Sequence, residues 1–267
     1  MRQRGMKSMQ TKPNYFKADL YRLRHSGRFC TGMLLVYAAL MFNSLIWGRS
    51  LDVLIIYFGI RTFSTHVLVY IGCVFPFATV FAEDMEHKSV FWQIGRGSVP
   101  AYVLSKVSLC FTSSVFSMAG GTVLFVLTCH LKYPLCDTST NIFEFYVSQD
   151  IFGFLLASGH HMLYFMASAC LIGMFGGLLA LISMYLSLFL KNKLFVICFP
   201  MMGHYFIDNY IINWLQLPAY FSPVYTFNSE AGAWDDPLTS FLYACSVSLM
   251  GIAIVTLFIT SKIRKDL

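Results

Sequence analysis

Apolar residues run through this chain in long blocks separated by short polar breaks. The blocks are too long for the elements of a water-soluble domain. A helix that crosses a membrane needs about 20 mostly apolar residues, and six stretches meet that need: 29–47, 62–82, 103–129, 160–190, 194–212 and 238–261. In lipid each must be helical, because only a helix satisfies its own backbone groups. The predicted fold is therefore all-α, with six transmembrane helices. Residues 151–190 are apolar for longer than one ordinary span, so a surface helix at 143–158 is expected to lead into the fourth. Gly173, Gly176 and Gly177 lie within that span without proline or charge, and they read as sites of close helix packing.

Basic residues orient the spans. With both termini inside, only Arg49, Arg61 and Lys132 fall on outer segments, and the remaining 16 of the 19 Lys and Arg fall on inner ones. Such a bias is the pattern of cytosolic loops. Eight of the basic residues lie in the first 28 positions, too long a charged region for a cleavable signal. Asn14 can cap a helix running to about His25. On it, Phe16, Leu20 and Leu23 share a face at i, i+4 and i+7, flanked by Lys17, Arg22, Arg24 and Arg28. This reads as an amphipathic helix on the inner leaflet. The organisation is then a basic segment 1–28, a transmembrane domain 29–261 and a basic cytosolic tail 262–267.

Composition agrees. Of 267 residues 57% are apolar and 12% charged, against about 25% charged in an ordinary soluble domain. Disorder is excluded by the bulky apolar content. The net charge of +6 reports orientation, so nucleic acid is not needed to explain it. The 8 Cys are scattered without a CxxC pair; Cys129 and Cys136 are near enough in sequence for a disulfide to be conceivable. The chain has no GxxxxGK(S/T) phosphate loop, no HExxH and no GxSxG, so it carries no signature for hydrolysing nucleotide or for the common intramembrane hydrolases. The six stretches contain almost no ionisable groups, and Glu83, Asp84 and Glu86 sit at an inner edge, which disfavours an ion-coupled carrier.

Several small groupings have a plain reading and a functional one. His160 and His161 point about 100° apart on a helix and read as interfacial residues, not a metal pair. His204 and Asp208 share a face at i, i+4, as a satisfied polar pair or as part of a substrate cavity. Residues 213–236 mix Pro218 and Pro223 with Trp214, Tyr220, Phe221, Tyr225 and Trp234. They predict short helices dipping back into the outer leaflet, as an aromatic belt or as an outer gate formed by Tyr220 and Phe221.

The loop after the second span holds the acids Glu83, Asp84 and Glu86, the apolar Phe91, Trp92 and Ile94, a break at Gly95-Arg96-Gly97-Ser98, and Tyr102 with Lys106 opening the third span. Three acids on a basic face gain nothing from anionic lipid; they read either as partners for a basic protein, with Phe91 and Trp92 as anchors, or as caps of span ends paired with Arg96 or Lys88 of the same chain. This loop, the basic segment Lys17-Ala18-Asp19-Leu20-Tyr21-Arg22-Leu23 and the link Lys191-Asn192-Lys193 resemble the ABC-2 permease family. The nearest likeness is to six-span permease subunits of peptide-antibiotic (lantibiotic) immunity and bacitracin-type exporters. Val99-Pro100 stand where such chains often carry a basic residue.

That resemblance implies a bacterial cell-membrane transport subunit for an amphiphilic peptide, drug or lipid, not itself an enzyme. It also implies a cytosolic ABC ATPase partner, ATP and magnesium held by that partner, and a second permease copy or paralogue. Glu83, Asp84, Glu86, Phe91, Trp92, Arg96 and Gly97 would form the ATPase-coupling loop. Membrane lipid is expected against Phe16, Leu20, Arg22 and Leu23. The rival classes are an intramembrane CAAX-type protease built on Glu83, Glu86 and His160 or His161, and a non-transporting scaffold or sensor subunit.

Overall fold

The structure is a computed structural model that describes residues 15–47, 52–62, 66–87, 89–94, 98–138, 141–190, 192–207, 210, 213–216, 218–229 and 236–266. Among these residues there are helices and turns and no strand. The helices are α1 (Tyr15–His25), α2 (Arg28–Trp47), α3 (Val53–Thr62), α4 (His66–Val74), α5 (Val80–Glu86), α6 (Ser89–Ile94) and α7 (Val99–His130). They continue as α8 (Asn141–Gln149), α9 (Gly153–Ala157), α10 (His161–Leu186), α11 (Lys193–Phe206), α12 (Asn213–Leu215), α13 (Pro223–Thr226) and α14 (Pro237–Asp266). By length and composition, three of them can cross a membrane: Val99–His130, His161–Leu186 and Pro237–Lys265. The apolar helices Arg28–Phe42 and Lys193–Phe206 are shorter.

Contacts between helix ends sort the chain into two poles. At a basic pole, Arg28 reaches Glu83, Lys106 reaches Asp19, and Lys193 lies 3.6 Å from Glu83. Lys262 sits over the Phe189 ring there. At the opposite pole, the amides of Val53 and Leu54 donate to the carbonyls of Pro134 and Leu135. Phe58 stacks on Tyr146 at 3.9 Å, and Phe152 meets Phe241. The segments between these poles form a bundle centred on α7 and α10, which bury Tyr102, Val103, Phe125, Phe165, Ala180 and Leu181. Helix α14 lies at the periphery, with Leu249 and Leu257 66% and 70% exposed.

Glycine sets how closely the helices approach. A Cβ on Gly176 would stand 2.8 Å from that of Cys73, and one on Gly173 would stand 3.0 Å from the Cα of Val115. The expectation of close packing at these glycines holds. Gly72 does the same for α4 against α2, where an added Cβ would meet the Val36 amide nitrogen at 2.8 Å.

The helix starts follow local chemistry. Asp236 accepts from the Thr239 amide at 2.9 Å and from its hydroxyl, with Pro237 at the first helical position of α14. Asn192 accepts from the Leu194 amide to open α11. Asp52, 1% exposed, accepts from the Ile55 amide at 2.9 Å and opens α3, and its other oxygen takes the Asp137 amide. Helix α3 was not anticipated from the sequence; the capping aspartate before an apolar run was its signal.

Other boundaries also differ from expectation. The second apolar stretch is α4 and α5 divided by turn residues 75–79 around Pro76, which has no amide to donate. The surface helix expected at 143–158 is two helices, α8 and α9, broken at Asp150, whose oxygens take the Phe152 amide and the Tyr164 and Ser229 hydroxyls. The fourth long helix ends at Leu186, followed by turn residues 187–189. Cys129 and Cys136 are free thiols. Burial and the charge of Asp52 push the Cys136 thiol up to about 12.

Candidate functional site

The basic pole is assembled from five helices: α1, the start of α2, α5, α7 and the start of α11. Helix α1 packs its Asp19–Leu23 side against the bundle, leaving Asp19 6% and Leu23 7% exposed. Asp19 is tolerated there because Lys106 Nζ lies 3.0 Å from Oδ1 and the Ser105 hydroxyl donates to Oδ2 at 2.9 Å. Lys106 is fully buried on α7, and its Nζ also lies 2.8 Å from Asp84 Oδ2. Helix α5 brings Glu83 and Asp84 side by side. Arg22 Nη1 donates to Asp84 Oδ1 at 2.7 Å, and its Nη2 donates to Glu83 Oε2 at 3.2 Å. Arg28 Nη1 donates to both oxygens of Glu83, at 2.7 and 2.8 Å. Thr79 and Tyr102 complete the set through hydroxyls to Glu83 and Asp84, at 3.1 and 2.8 Å.

Three carboxylates thus face four cations, since Lys193 adds a looser contact to Glu83. Buried charges persist only when paired and hydrogen-bonded, and each acid here has at least two donors. Burial pushes both acids of α5 up, but their partners outweigh it. The charge of Lys106 and hydrogen bonds from Lys106, Arg22 and Tyr102 hold the Asp84 carboxyl below its ordinary value. Arg28, Thr79 and Lys193 do the same for Glu83. Both are anionic at neutral pH. The arrangement is a clamp between α1, the start of α2, α5, α7 and the start of α11. Among the described residues no three His, Cys, Asp or Glu side chains form a metal-binding group.

Glu83 and Asp84 thus follow the intrachain reading, with Arg22, Arg28 and Lys106 as partners. Glu83 and Asp84 are 6% and 2% exposed and bound within the chain, so they are not presented to a partner's cations. Arg22, Arg28 and Lys106 are their partners, at separations of 62, 55 and 22 residues. Local reading of the loop had no access to pairs that distant. Glu86 is exposed. Trp92, on α6 beside this clamp, is 75% exposed, and α6 is tied to α1 by the Tyr15 hydroxyl donating to the Gln93 carbonyl at 2.8 Å. Phe91 lies in α6, but its side chain, like Arg96 and Gly97, is outside the described residues. Phe16 and Leu20 are 47% and 46% exposed, so Leu23 is the part of the predicted stripe that enters the bundle.

At the opposite pole the structure places His204 6% exposed against Phe175, ring centroids 4.6 Å apart, and near Tyr70. Asp208 lies outside the described residues. Tyr220 and Phe221 form a short 3₁₀ turn, 42% and 62% exposed, and the Tyr243 hydroxyl donates to the Tyr220 carbonyl. The same connection packs back on the bundle through Phe227, which stacks on Phe175, and through Ser229, whose carbonyl takes the Ile151 amide at 2.8 Å. His160 stands at the N-cap position of α10 with no side-chain capping hydrogen bond, and His161 opens the helix. No family model, no curated protein and no solved structure matches the chain.

Proposed function

We propose that this chain is the permease subunit of an ATP-driven ABC exporter for amphiphilic substrates: a peptide antibiotic, a drug or a lipid. In this reading six segments cross a bacterial cell membrane: α2, α4 with the turn after it as far as residue 82, α7, α10, α11 and α14. Both termini and the basic pole face the cytosol. A cytosolic ATPase chain supplies ATP and magnesium, and a second permease copy or paralogue completes the pathway. The observation that carries the reading is the exposed Trp92 on α6, a helix tied to the clamp that joins α1, α2, α5, α7 and α11. A push on α6 there is delivered to several bundle helices at once. The aromatic connection at the opposite pole, with Tyr220 and Phe221, would be the outer gate, and His204 would lie beneath it.

Support also comes from the three long apolar helices and from the resemblance of the loop and basic segments. The protease reading loses support. Glu83 lies near Tyr102 at one end of α7, whereas Tyr164, one turn beyond His160 and His161, lies in an aromatic cluster with Tyr57, Phe58 and Phe125 at the other. The two are separated by about 35 Å of helix rise.

Affinity purification of the tagged full chain from its native membrane in mild detergent tests the proposal. The expected result is a co-purifying chain that photolabels with azido-ATP and is lost on Trp92→Ala, while the variant still inserts and purifies normally. Truncating a buried aromatic anchor at such an interface costs about 2 kcal/mol or more. A native preparation with no ATP-photolabelled partner would overturn the reading. Strong alkaline phosphatase activity from a reporter fused after Leu267 would overturn the topology.

A further inference from the structure

The acid of α1 is hidden and its bases are not. Asp19 is buried against Lys106 and Ser105, while Lys17 and Arg24 are exposed. Seven residues apart, Lys17 and Arg24 return to one line along the helix. Phe16 and Leu20, both nearly half exposed, form a second line about 70° around it, between the basic line and the buried Leu23. The outward surface of α1 thus has an apolar line, a basic line and no carboxylate. Its depth is fixed by Asp19 meeting Lys106, which sets α1 level with the second turn of α7, where Leu104 is 51% exposed. Past the Ser26–Gly27 elbow, the outward residues of α2 turn apolar at Leu34 and Leu35, 55% and 38% exposed.

We propose that this face of α1 binds the anionic phospholipid headgroups of the leaflet that meets the basic pole. Acyl chains lie against Phe16 and Leu20 and continue along Leu34 and Leu35. Lys17 and Arg24 reach the phosphates. An acidic protein or nucleic acid would match the bases but would have no use for the adjoining apolar line. Arg22 is held by Glu83 and Asp84 and Asp19 by Lys106, so the lipid that docks on α1 touches a helix that is itself part of the clamp. Leaflet charge would then set how firmly α1 is seated on the bundle. The inference rests on a membrane setting and not on the transport reading, and its test involves no ATPase.

The test is hydrogen exchange at residues 15–25 of the full chain, in lipid discs of phosphatidylcholine alone or mixed with phosphatidylglycerol. Two basic residues at an anionic surface shift the opening equilibrium of α1 by about 30-fold, so exchange should slow by that order in the mixed discs. Lys17→Gln with Arg24→Gln should abolish the difference, and the charge-preserving Lys17→Arg with Arg24→Lys should keep it. Equal exchange in both discs would overturn the proposal. So would slowing that survives the glutamine pair, which would place the lipid elsewhere. Slowing by inorganic phosphate added to neutral discs would replace the lipid with a free anion and overturn it as well.

Discussion

Replacing Lys106 by Met removes the one cation of the clamp that is fully buried. Its ammonium lies 3.0 Å from Asp19 and 2.8 Å from Asp84, and those acids are 6% and 2% exposed, so solvent screens little of the interaction. The two acids lose unequally. Asp84 keeps Arg22 and Tyr102, whereas among the described residues the hydrogen bond left to Asp19 is the one from the Ser105 hydroxyl. Methionine fills similar space, so the cost is electrostatic: an uncompensated buried carboxylate. Breaking a buried pair from one side costs about 3–5 kcal/mol, and the partners left to Asp84 put the expected loss near the lower figure. At this chain length, about 3 kcal/mol corresponds to a fall in Tm of about 6–12 °C. Adding Asp19→Leu removes the stranded acid and should recover most of that, because apolar replacement of a whole buried pair is often neutral or stabilising. The assay is thermal unfolding of the purified protein in one detergent at a matched scan rate. A shift under about 2 °C for Lys106→Met, or a double variant no more stable than the single one, would refute the reasoning.

Other expectations are independent of that pair. Gly72→Val places a side chain 2.8 Å from the Val36 backbone nitrogen, and since backbone cannot yield cheaply it should destabilise by about 1–3 kcal/mol. Gly203→Ala, with nothing within 4 Å of the added carbon, should be neutral or stabilise by up to about 1 kcal/mol through helix propensity; the same thermal assay reads both. Glu83 and Asp84 have folded values below their ordinary ones, so the unfolded chain takes up their protons first as pH falls. Their contribution is complete above the ordinary carboxylate range and is lost as pH drops through the depressed folded values. Unfolding midpoints should therefore not change with pH through these groups between neutrality and about pH 5 and should fall in stronger acid, less steeply in Asp84→Asn. Asp150→Ala removes an acceptor from the Tyr164 and Ser229 hydroxyls and from the Phe152 amide. It should cost about 1–3 kcal/mol and speed proteolysis in the 218–229 connection.

Long apolar segments were legible because burial in lipid or in a bundle demands the same uninterrupted apolar run. The helices α2, α7, α10, α11 and α14 begin within a few residues of the expected positions. Breaks were less legible. Pro76 stands in plain view in the second stretch, yet composition there reads as continuous. Asp52 opens a helix that an outer loop was expected to replace. Least legible was the clamp. Asp19 looks like a solvated acid on a basic helix, and only its approach to Lys106, 87 residues away, makes burial tolerable. Three acids near a membrane face suggested a partner protein or bases close by in the same loop, whereas two of them are bound by arginines and a lysine that sequence proximity does not connect to them.

Asp19, Glu83 and Asp84 all precede Lys106 along the chain. During synthesis, the acids have left the ribosome before α7 does. A lone lysine in an apolar helix costs about 2.5–3.5 kcal/mol to insert at the bilayer centre, and less near the end of a span. The ammonium of Lys106 therefore enters a membrane whose surface already holds its counter-ions, and α7 need not wait for later helices to be neutralised. Lys193 arrives afterwards and only tightens Glu83. A nascent chain released just after His130 already carries every carboxylate that Lys106 meets in the finished protein.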